Sequence, residues 1–366
     1  MKKMEKIAVL GGGNGAHTLA ADLALKGLGV TICESPEYEA TFRRTLEEQG
    51  VTLTDIWGET RFARFTATTD FGQALKGVDY IMVCVPAMGH MHFFNATLPY
   101  LEDGQTIVIW PGNYGALRFA NLLHEKRIQK RLTFAEANTL PWGCRFEGAG
   151  AVRMFVEVWK LLVGALPSAE VGRVARDLAV ICPTASGANV LASSLNNLNP
   201  IVHPVGSILN AGWIDTLGKD FYFYRYGTTL SIARAIKAIY EEISKVAEAI
   251  GVEMLEYPEK AFFSKGTIMC HYNRAPFDTE GMAAQISGPS SMKARYVSED
   301  VPYGLVPLGL LARQLGISTP VLDAVTALGS VINQTNYWET GLSPEQLGIA
   351  GLDRIQLKRL LERGFE

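Results

Sequence analysis

The sequence predicts an α/β protein, with a doubly wound parallel sheet in the N-terminal half and an all-helical C-terminal domain. Apolar runs without polar alternation recur through the first half, which is typical of parallel strands covered on both faces. Helical patterns separate these runs, as β-α-β units require. Beyond about residue 187 the strand-like runs give way to helical periodicity. We therefore predict two domains, at 1–187 and 188–366.

The elements of the first domain follow from these apolar runs. Strands are predicted at 6–10, 30–33, 79–85 and 106–110, with further candidates at 133–137, 151–156 and 161–164. A helix over 16–26 ends at two glycines, and another is predicted over about 169–179. This order of strands and helices is that of a sheet wound by crossover helices.

The second domain is predicted from helix signals alone. Residues 229–250 carry isoleucines and a valine on one face, and Gly251 is placed to end that helix. The Ser-Thr pair before Pro320 is typical of a capped helix with proline in its first turn, so we expect a helix over 320–331. A C-terminal helix is expected over 353–363.

Composition excludes several classes of protein. The net charge of −3 gives no broad basic field, so neither nucleic acid nor an anionic membrane is an expected partner. No apolar run reaches the ~20 residues that span a bilayer, and the short apolar stretch after the basic N-terminal residues ends in glycines, so no cleavable leader is expected there. The five cysteines, among them Cys270, form no CxxC pair. They indicate buried reduced thiols in a cytoplasmic protein, with no metal site.

The turn after the first strand has the pattern G-x-G-x-x-A, in the residues LGGGNGA at 10–16. Gly11 permits a tight turn, Gly13 lets the backbone approach a pyrophosphate, and Ala16 lets the helix pack close to the strand. The diphosphate would lie on the helix N-terminus, where free N–H groups and the helix dipole favour negative charge. The next strand ends in Glu34, near the roughly 20-residue spacing of an acidic ribose ligand. These features predict a Rossmann dinucleotide-binding domain.

Glu34 decides the expected cofactor. A carboxylate there accepts hydrogen bonds from the ribose hydroxyls and repels a 2′-phosphate, so NAD is favoured and NADP remains possible. Arg43 and Arg44 either fold back toward a phosphate or are solvated helix residues. The strand predicted at 79–85 leads into Pro86, on the carboxyl edge where ligands bind. The predicted cofactor-binding residues are Gly11, Gly13, Asn14, Gly15, Ala16, Glu34 and Pro86.

The histidines of the first domain give weaker signals. His90 and His92 are expected in a loop after Pro86, either exposed or with one of them touching substrate. His17 and His124 are interpreted as structural. His271 supports no assignment from its surroundings in the sequence.

A polar set in the second domain could carry the chemistry. His203 suits proton transfer near neutral pH. Asp300 could orient its imidazole and stabilise the charged form, and Arg295 could clamp a substrate carboxylate with two hydrogen bonds. The alternative for His203, which precedes a proline, is a capping or packing role.

At these residues the sequence resembles the octopine/nopaline (opine) dehydrogenase family over essentially its whole length. The resemblance rests on GGGNGA at 11–16, LPWGCR at 140–145, NNLNPIVHPVG at 196–206, FYFYRYGTT at 221–229 and ARYVSEDVPYGLVPLG at 294–309. It implies an N-terminal NAD(P)-binding domain, an all-helical C-terminal domain, and NAD(P)H-dependent joining of an amino acid to a 2-oxo acid such as pyruvate. It also implies His203 as the acid/base, Asp300 as its partner and Arg295 as a substrate-carboxylate ligand.

Two rival functions remain open from the sequence. One is an NAD-dependent hydroxyacid or polyol-phosphate dehydrogenase of similar build, and the other is a non-catalytic dinucleotide-binding sensor. The aromatic segment 221–226 either lines the amino-acid pocket or only packs. Apolar helical faces in the second domain make a homodimer a possible assembly.

Overall fold

A computed structural model describes residues 4–148, 150–257 and 287–365. Cys270 and His271 lie outside the described residues. In chain order the strands are β1 (Lys6–Leu10), β2 (Gly29–Cys33), β3 (Gly50–Thr54), β4 (Thr60–Arg64), β5 (Thr66–Thr68), β6 (Tyr80–Val83), β7 (Thr106–Ile109), β8 (Thr133–Ala137), β9 (Trp142–Gly148), β10 (Ala151–Glu157), β11 (Leu161–Leu166) and β12 (Thr184–Ser186).

The helices alternate with strands at first and then dominate. They are α1 (Asn14–Leu25), α2 (Glu39–Glu48), α3 (Phe71–Leu75), α4 (His90–Thr97), α5 (Gly115–Glu125), α6 (Val171–Leu178), α7 (Val190–Leu195), α8 (Leu198–Ile208), α9 (Ala211–Leu217), α10 (Phe223–Tyr226), α11 (Leu230–Ala249), α12 (Arg295–Ser298), α13 (Val306–Gln314), α14 (Pro320–Asn333), α15 (Tyr337–Thr340) and α16 (Arg354–Arg363). A π-helical turn at Val301–Leu305 leads into α13. Every described element after β12 is helical, as predicted.

The main sheet has eight strands in the order β12-β11-β8-β7-β6-β1-β2-β5. Its central neighbours β2, β1, β6, β7 and β8 pair in parallel, so their carboxyl ends share one edge. Strand β11 runs antiparallel to β8 because the chain between them makes a hairpin excursion rather than a helical crossover. The predicted fold class, a Rossmann sheet followed by an all-helical domain, is confirmed.

A second sheet, in the order β4-β3-β10-β9, lies on the other side of α1. The strand predicted at 151–156 exists as β10, but it belongs to this small sheet. Helix α1 contacts β2 of the main sheet and strands β3, β4, β9 and β10 of the small one. The helix that begins at the glycine turn is therefore held between two sheets.

The N-terminus of α14 is capped differently from the prediction. Thr319 occupies the N-cap position, but its side chain makes no capping hydrogen bond. The Glu242 carboxylate on α11 instead accepts from the backbone N–H groups of Val321 and Leu322, at 2.9 and 3.0 Å. A capping residue from another helix ties α11 to α14.

One apolar core runs from a face of the main sheet into the helical domain. It includes Ile109 and Phe119 of the first domain and Ile201 and Ile236 of the second, all buried. Helix α7, which follows the predicted boundary at 187, packs against β8 and β11. The boundary itself stays a prediction. Among the described residues, no helix combines the length and apolar character needed to cross a bilayer.

Candidate active site

The glycine turn after β1 opens a space at the start of α1. Gly11 adopts a φ of +114°, and a Cβ there would lie 2.7 Å from the carbonyl oxygen of Cys84. Helix α1 begins at Asn14 with Gly13 as its N-cap, and a Cβ on Gly13 would meet no described atom within 4 Å. Ala16 is fully buried behind the turn. The free N–H groups of this helix end and the open space before them fit a dinucleotide diphosphate.

Two other predicted cofactor residues have contacts within the fold. The side-chain oxygen of Asn14 accepts a hydrogen bond from the N–H of Phe146 at 3.0 Å, which joins α1 to β9. A Cβ on Gly15 would lie 2.9 Å from Sγ of Cys84 and 3.1 Å from Leu140. Both residues thus shape the turn, and their contacts with the cofactor stay predictions.

Glu34 lies just after β2 and is buried, with Oε1 accepting from the N–H of Ser35 at 2.7 Å. Burial raises the pKa of Glu34, opposed by the N–H groups of Ser35 and Gly12 and by the charge of His92. A Cβ on Gly12 would lie 2.5 Å from Oε2 of Glu34, so glycine permits this approach. Sequence reasoning missed Gly12, although three consecutive glycines were visible. Arg44 forms an ion pair along α2.

The histidines after Pro86 are in a helix, not in an exposed loop. A 3-10 turn at Ala87–Gly89 leads directly into α4, which begins at His90. The prediction is wrong for His90, which is buried because it packs against Gly115. Burial lowers its pKa to about 3, so it is neutral at ordinary pH. His92 is exposed, with Nε2 2.8 Å from Oγ of Ser35.

His17 and His124 both have structural contacts, as interpreted from the sequence. Nε2 of His17 lies 2.7 Å from Oγ1 of Thr45, and burial lowers its pKa to about 4. His124 stacks on Phe365 near the end of the chain. Nδ1 of His17 also lies 3.1 Å from the carbonyl oxygen of Gly13, so this ring supports the glycine turn.

His203 and Asp300 are brought together by α8 and the turn before the π-helical segment. Nδ1 of His203 lies 2.8 Å from Oδ2 of Asp300, although 97 residues separate them in sequence. Because a carboxylate only accepts, Nδ1 carries the hydrogen and Nε2 is left to exchange protons. Burial raises the pKa of Asp300, opposed by the hydrogen bond and charge of His203. The pairing predicted from the sequence is present in the fold, and its catalytic role stays a prediction.

Aromatic rings surround the imidazole of His203. Tyr296 stacks on it with ring centroids 3.8 Å apart and planes within 6°. The Tyr224 hydroxyl lies 3.4 Å from Nε2. Phe221 and Phe223 are fully buried and pack. In the aromatic segment 221–226, the two phenylalanines therefore pack in the core, whereas Tyr224 lies beside His203. Whether Tyr224 also lines an amino-acid pocket stays a prediction.

Arg295 lies beside the same pair but has a different partner. Its Nε donates to Oε2 of Glu299, and Oε1 of that buried carboxylate accepts from the N–H of Ala87 at 2.7 Å. Ala87 directly follows Pro86, at the carboxyl edge of the main sheet. This bond holds the helical domain against the cofactor side of the sheet. Sequence reasoning missed Glu299, which stands beside Asp300 in the segment ARYVSED.

A second buried carboxylate, Glu136, organises the loop after β7. It accepts from the Ser194 hydroxyl and from the N–H of Ala116 at 2.8 Å. Burial raises the pKa of Glu136 to about 7, opposed by the hydrogen bonds from Ser194, Ala116 and Tyr114. In this loop Asn113 and Tyr114 adopt φ of 44° and 62°, a strained arrangement for residues other than glycine. Sequence reasoning missed Glu136 because a lone glutamate in a strand carries no recognisable signal.

The segment that carries Asp300 contacts the carboxyl edge of the sheet that carries the dinucleotide-binding turn. The first domain supplies the cofactor side and the helical domain supplies the His203–Asp300 pair, and the two domains are linked through Glu299 and Ala87. This combination defines a two-domain, nicotinamide-dependent oxidoreductase.

Comparisons with known proteins identify the family. Residues 7–152 match the family described as ketopantoate reductase PanE/ApbA. Residues 186–333 match the alpha-helical domain of NAD/NADP octopine/nopaline dehydrogenase. The chain is 31% identical over 367 residues to an opine dehydrogenase of Arthrobacter sp. (strain 1C), covering 99% of this chain and 100% of the relative. The chain belongs to the opine dehydrogenase family, which confirms the resemblance seen in the sequence.

Solved structures share the fold. A structure of octopine dehydrogenase with NADH and pyruvate has a TM-score of 0.70 at 22% identity, covering 97% of this chain and 98% of that one. D-mandelate dehydrogenase with NADH and anilino(oxo)acetate has a TM-score of 0.63 at 17% identity, covering 90% and 98%. Because both reactions occur on this architecture, the fold alone does not separate an opine dehydrogenase from a hydroxyacid dehydrogenase.

Proposed function

We propose that this chain catalyses the NAD(P)H-dependent reductive condensation of an amino acid with a 2-oxo acid such as pyruvate. Membership of the opine dehydrogenase family supports this reaction. The observation that carries the chemical assignment is the 2.8 Å contact between Nδ1 of His203 and Oδ2 of Asp300. Condensation of the amine with the oxo acid releases water, and the bound dinucleotide supplies the hydride that reduces the resulting imine.

His203 is the proposed acid/base. Asp300 holds Nδ1, so Nε2 is the nitrogen that gives and takes protons during condensation and reduction. Tyr224, at 3.4 Å from Nε2, fixes the ring on that side. The stacked Tyr296 restricts access of water to the imidazole. Asp300, Tyr224 and Tyr296 together hold Nε2 of His203 in position for proton transfer.

Arg295 is the proposed ligand of a substrate carboxylate. Among the described residues its hydrogen bond uses Nε, which leaves both NH2 groups to an anion. Its side chain is 63% exposed, so those groups are accessible to a ligand. Two parallel hydrogen bonds from a guanidinium to a carboxylate would fix the oxo acid in one orientation.

The cofactor preference is part of the same proposal. Glu34 would accept hydrogen bonds from the ribose hydroxyls and disfavour a 2′-phosphate, so NADH is the expected cofactor and NADPH the weaker one. Gly11, Gly13, Asn14, Gly15 and Ala16 would border the diphosphate, and Pro86 would approach the nicotinamide.

The test of the reaction is a matrix of amino acids against pyruvate and other 2-oxo acids. NADH consumption is followed by absorbance, and the secondary-amine product is identified by mass spectrometry. Turnover that requires both substrates supports the proposal. Turnover with a 2-oxo acid alone identifies a hydroxyacid dehydrogenase instead, and tight NADH binding without turnover identifies a sensor.

We propose a homodimer and a cytoplasmic location on narrower grounds. Helix α14 exposes Leu328, Val331 and Ile332, an apolar surface that a second copy could cover. The four cysteines in the described part of the chain are buried and form no disulfide with one another, which suits a reducing compartment. Sedimentation of the pure protein tests the dimer, since a monomer at micromolar concentration contradicts it.

A further inference from the structure

Glu299 bridges two groups that belong to different domains and different steps of the proposed reaction. One oxygen accepts from the backbone of Ala87, 212 residues away, at 2.7 Å. The other accepts from Nε of Arg295, one helical turn before it. The glutamate side chain is only 5% exposed, so both bonds are formed largely out of water.

The Ala87 end of the bridge lies on the cofactor side of the site. Ala87 is buried and begins the 3-10 turn that follows Pro86. The strand before that turn, β6, pairs with β1, whose end leads into the glycine turn. In the described hydrogen-bond network, the acceptor for the N–H of Ala87 is Glu299. Movement of this turn on dinucleotide binding would therefore shift the Glu299 carboxylate through this hydrogen bond.

The Arg295 end of the bridge lies on the substrate side. The guanidinium is within electrostatic range of Asp300 and of Cys84, which packs beneath the glycine turn. Holding Nε against a fixed carboxylate restricts the guanidinium to few orientations. A pre-oriented guanidinium loses less conformational entropy when it binds a carboxylate.

An exposed ion pair on the surface restricts the orientation of an arginine side chain much less. Arg44 and Glu48 have the same four-residue spacing on α2, with side chains 52% and 32% exposed. Such exposed pairs contribute little because solvent screens them and both side chains lose freedom. Glu299 differs because it is buried and because its second oxygen contacts another domain. Removal of its charge therefore affects two sites at once.

We propose that Glu299 is a positioning residue that links the dinucleotide site to the substrate-binding arginine, so that binding of NADH and binding of the 2-oxo acid strengthen each other. The inference rests on the proposed role of Arg295. By thermodynamic reciprocity, a 2-oxo acid that tightens NADH binding must itself bind more tightly when NADH is present. The linkage is carried by one carboxylate with a partner in each domain.

The test uses Glu299→Gln in the full-length protein, with NADH and pyruvate as the probes. NADH affinity is measured by fluorescence titration without and with saturating pyruvate, with no amino acid present and hence no turnover. In the unmodified protein we expect pyruvate to tighten NADH binding by about fivefold or more. In Glu299→Gln this ratio should fall to near one. The KM for pyruvate should rise about tenfold, with kcat changed far less.

Controls separate this inference from the proposed function. Glu48→Gln removes a carboxylate of the same ion-pair spacing outside the site and should keep the full linkage. Arg295→Ala tests the role of the arginine, because an unchanged KM for pyruvate would refute that role. If Arg295→Ala raises the KM while Glu299→Gln keeps the linkage, only the inference about Glu299 is overturned.

A second variant removes the same bridge from its other end. Ala87→Pro deletes the N–H that donates to Glu299, at the first position of a helical turn where proline is tolerated. It leaves the Glu299–Arg295 pair intact. Loss of the linkage in Ala87→Pro supports the inference even if Glu299→Gln does not fold, and an undiminished linkage in the variants that fold overturns it.

Discussion

At the scale of single residues, the site depends on a few carboxylates with assigned partners. Glu34, the proposed ribose ligand, accepts from the N–H of Ser35, Asp300 holds His203, and Glu299 holds Arg295. Each is buried, so each depends on its partner for stabilisation of its charge. Substitution of any one of them should change a specific binding or kinetic property.

Replacing Glu34 tests the basis of cofactor choice. Glu34→Gln removes the negative charge that repels a 2′-phosphate and weakens the hydrogen bonds to the ribose. We expect NADH to bind roughly tenfold more weakly and the ratio of NADPH to NADH efficiency to rise. Steady-state kcat/KM with each cofactor measures both effects.

The control for this prediction is Glu37→Gln, an exposed glutamate in the turn that follows. It should leave both efficiencies unchanged. An unaltered NADPH to NADH ratio in Glu34→Gln would show that the ribose is recognised elsewhere.

The sequence allowed prediction of residues whose chemistry has a local pattern. The glycine turn, Glu34, and the His203–Asp300 pair were all accessible, the last through the family resemblance. Gly12, Glu136 and Glu299 were missed because their partners are distant in sequence. Ala87 and Glu299, for example, are 212 residues apart.

At the scale of helices and strands, apolar runs located six of the eight strands of the main sheet, but they missed the buried strand β3 of the small sheet. Strands β1 and β8 match their predicted bounds, and the other predicted strands differ by one or two residues at an end. Strand β4 was missed because four of its five residues are exposed and its sequence contains no apolar run. The cap of α14 was misassigned because Glu242, which supplies it, lies in another helix.

Glu242 should contribute measurably to stability. Glu242→Gln removes the charge that accepts two backbone N–H bonds at the start of α14. We expect a loss of about 1–3 kcal/mol in the free energy of unfolding, since hydrogen bonds to charged groups have this magnitude. Denaturant unfolding measures it.

Glu241→Gln serves as the matched control, because Glu241 is exposed on the same helix and its ion pair within the described residues is with Lys237. Its effect should stay within ±0.5 kcal/mol. Equal losses in the two variants would contradict the capping role of Glu242.

Glu136 of β8, which accepts hydrogen bonds from α5 and α7, should make the free energy of unfolding depend on pH. Burial raises its pKa to about 7 in the folded protein, against about 4.3 in an unfolded chain. The folded protein therefore binds this proton more tightly. The contribution is fully present below about pH 4 and is lost as pH rises through about 7.

The measurement compares unmodified protein with Glu136→Gln at several pH values, because other titrating groups then largely cancel. Relative to that of Glu136→Gln, the free energy of unfolding of the unmodified protein should fall by up to about 3 kcal/mol between pH 5 and pH 8. A stability difference that does not change with pH would show that Glu136 keeps an ordinary pKa.

At the scale of the whole molecule, the two domains are joined by apolar and polar contacts near the site. The shared core crosses the junction, and Asn197 donates to Asn113 across it at 2.6 Å. The C-terminal helix α16 returns to contact β11 of the first domain. These long-range contacts could not be predicted from sequence patterns, whereas the fold class and family could.

The central claim is that His203, held by Asp300, transfers protons at the meeting point of the two domains. The most direct measurement is kcat of His203→Ala with saturating NADH, a 2-oxo acid and an amine substrate, together with the Kd of NADH. We predict a fall in kcat of roughly 10²–10⁴-fold with the Kd for NADH nearly unchanged. A variant that retains kcat within a few-fold of the unmodified protein would contradict the assignment of His203 as the acid/base.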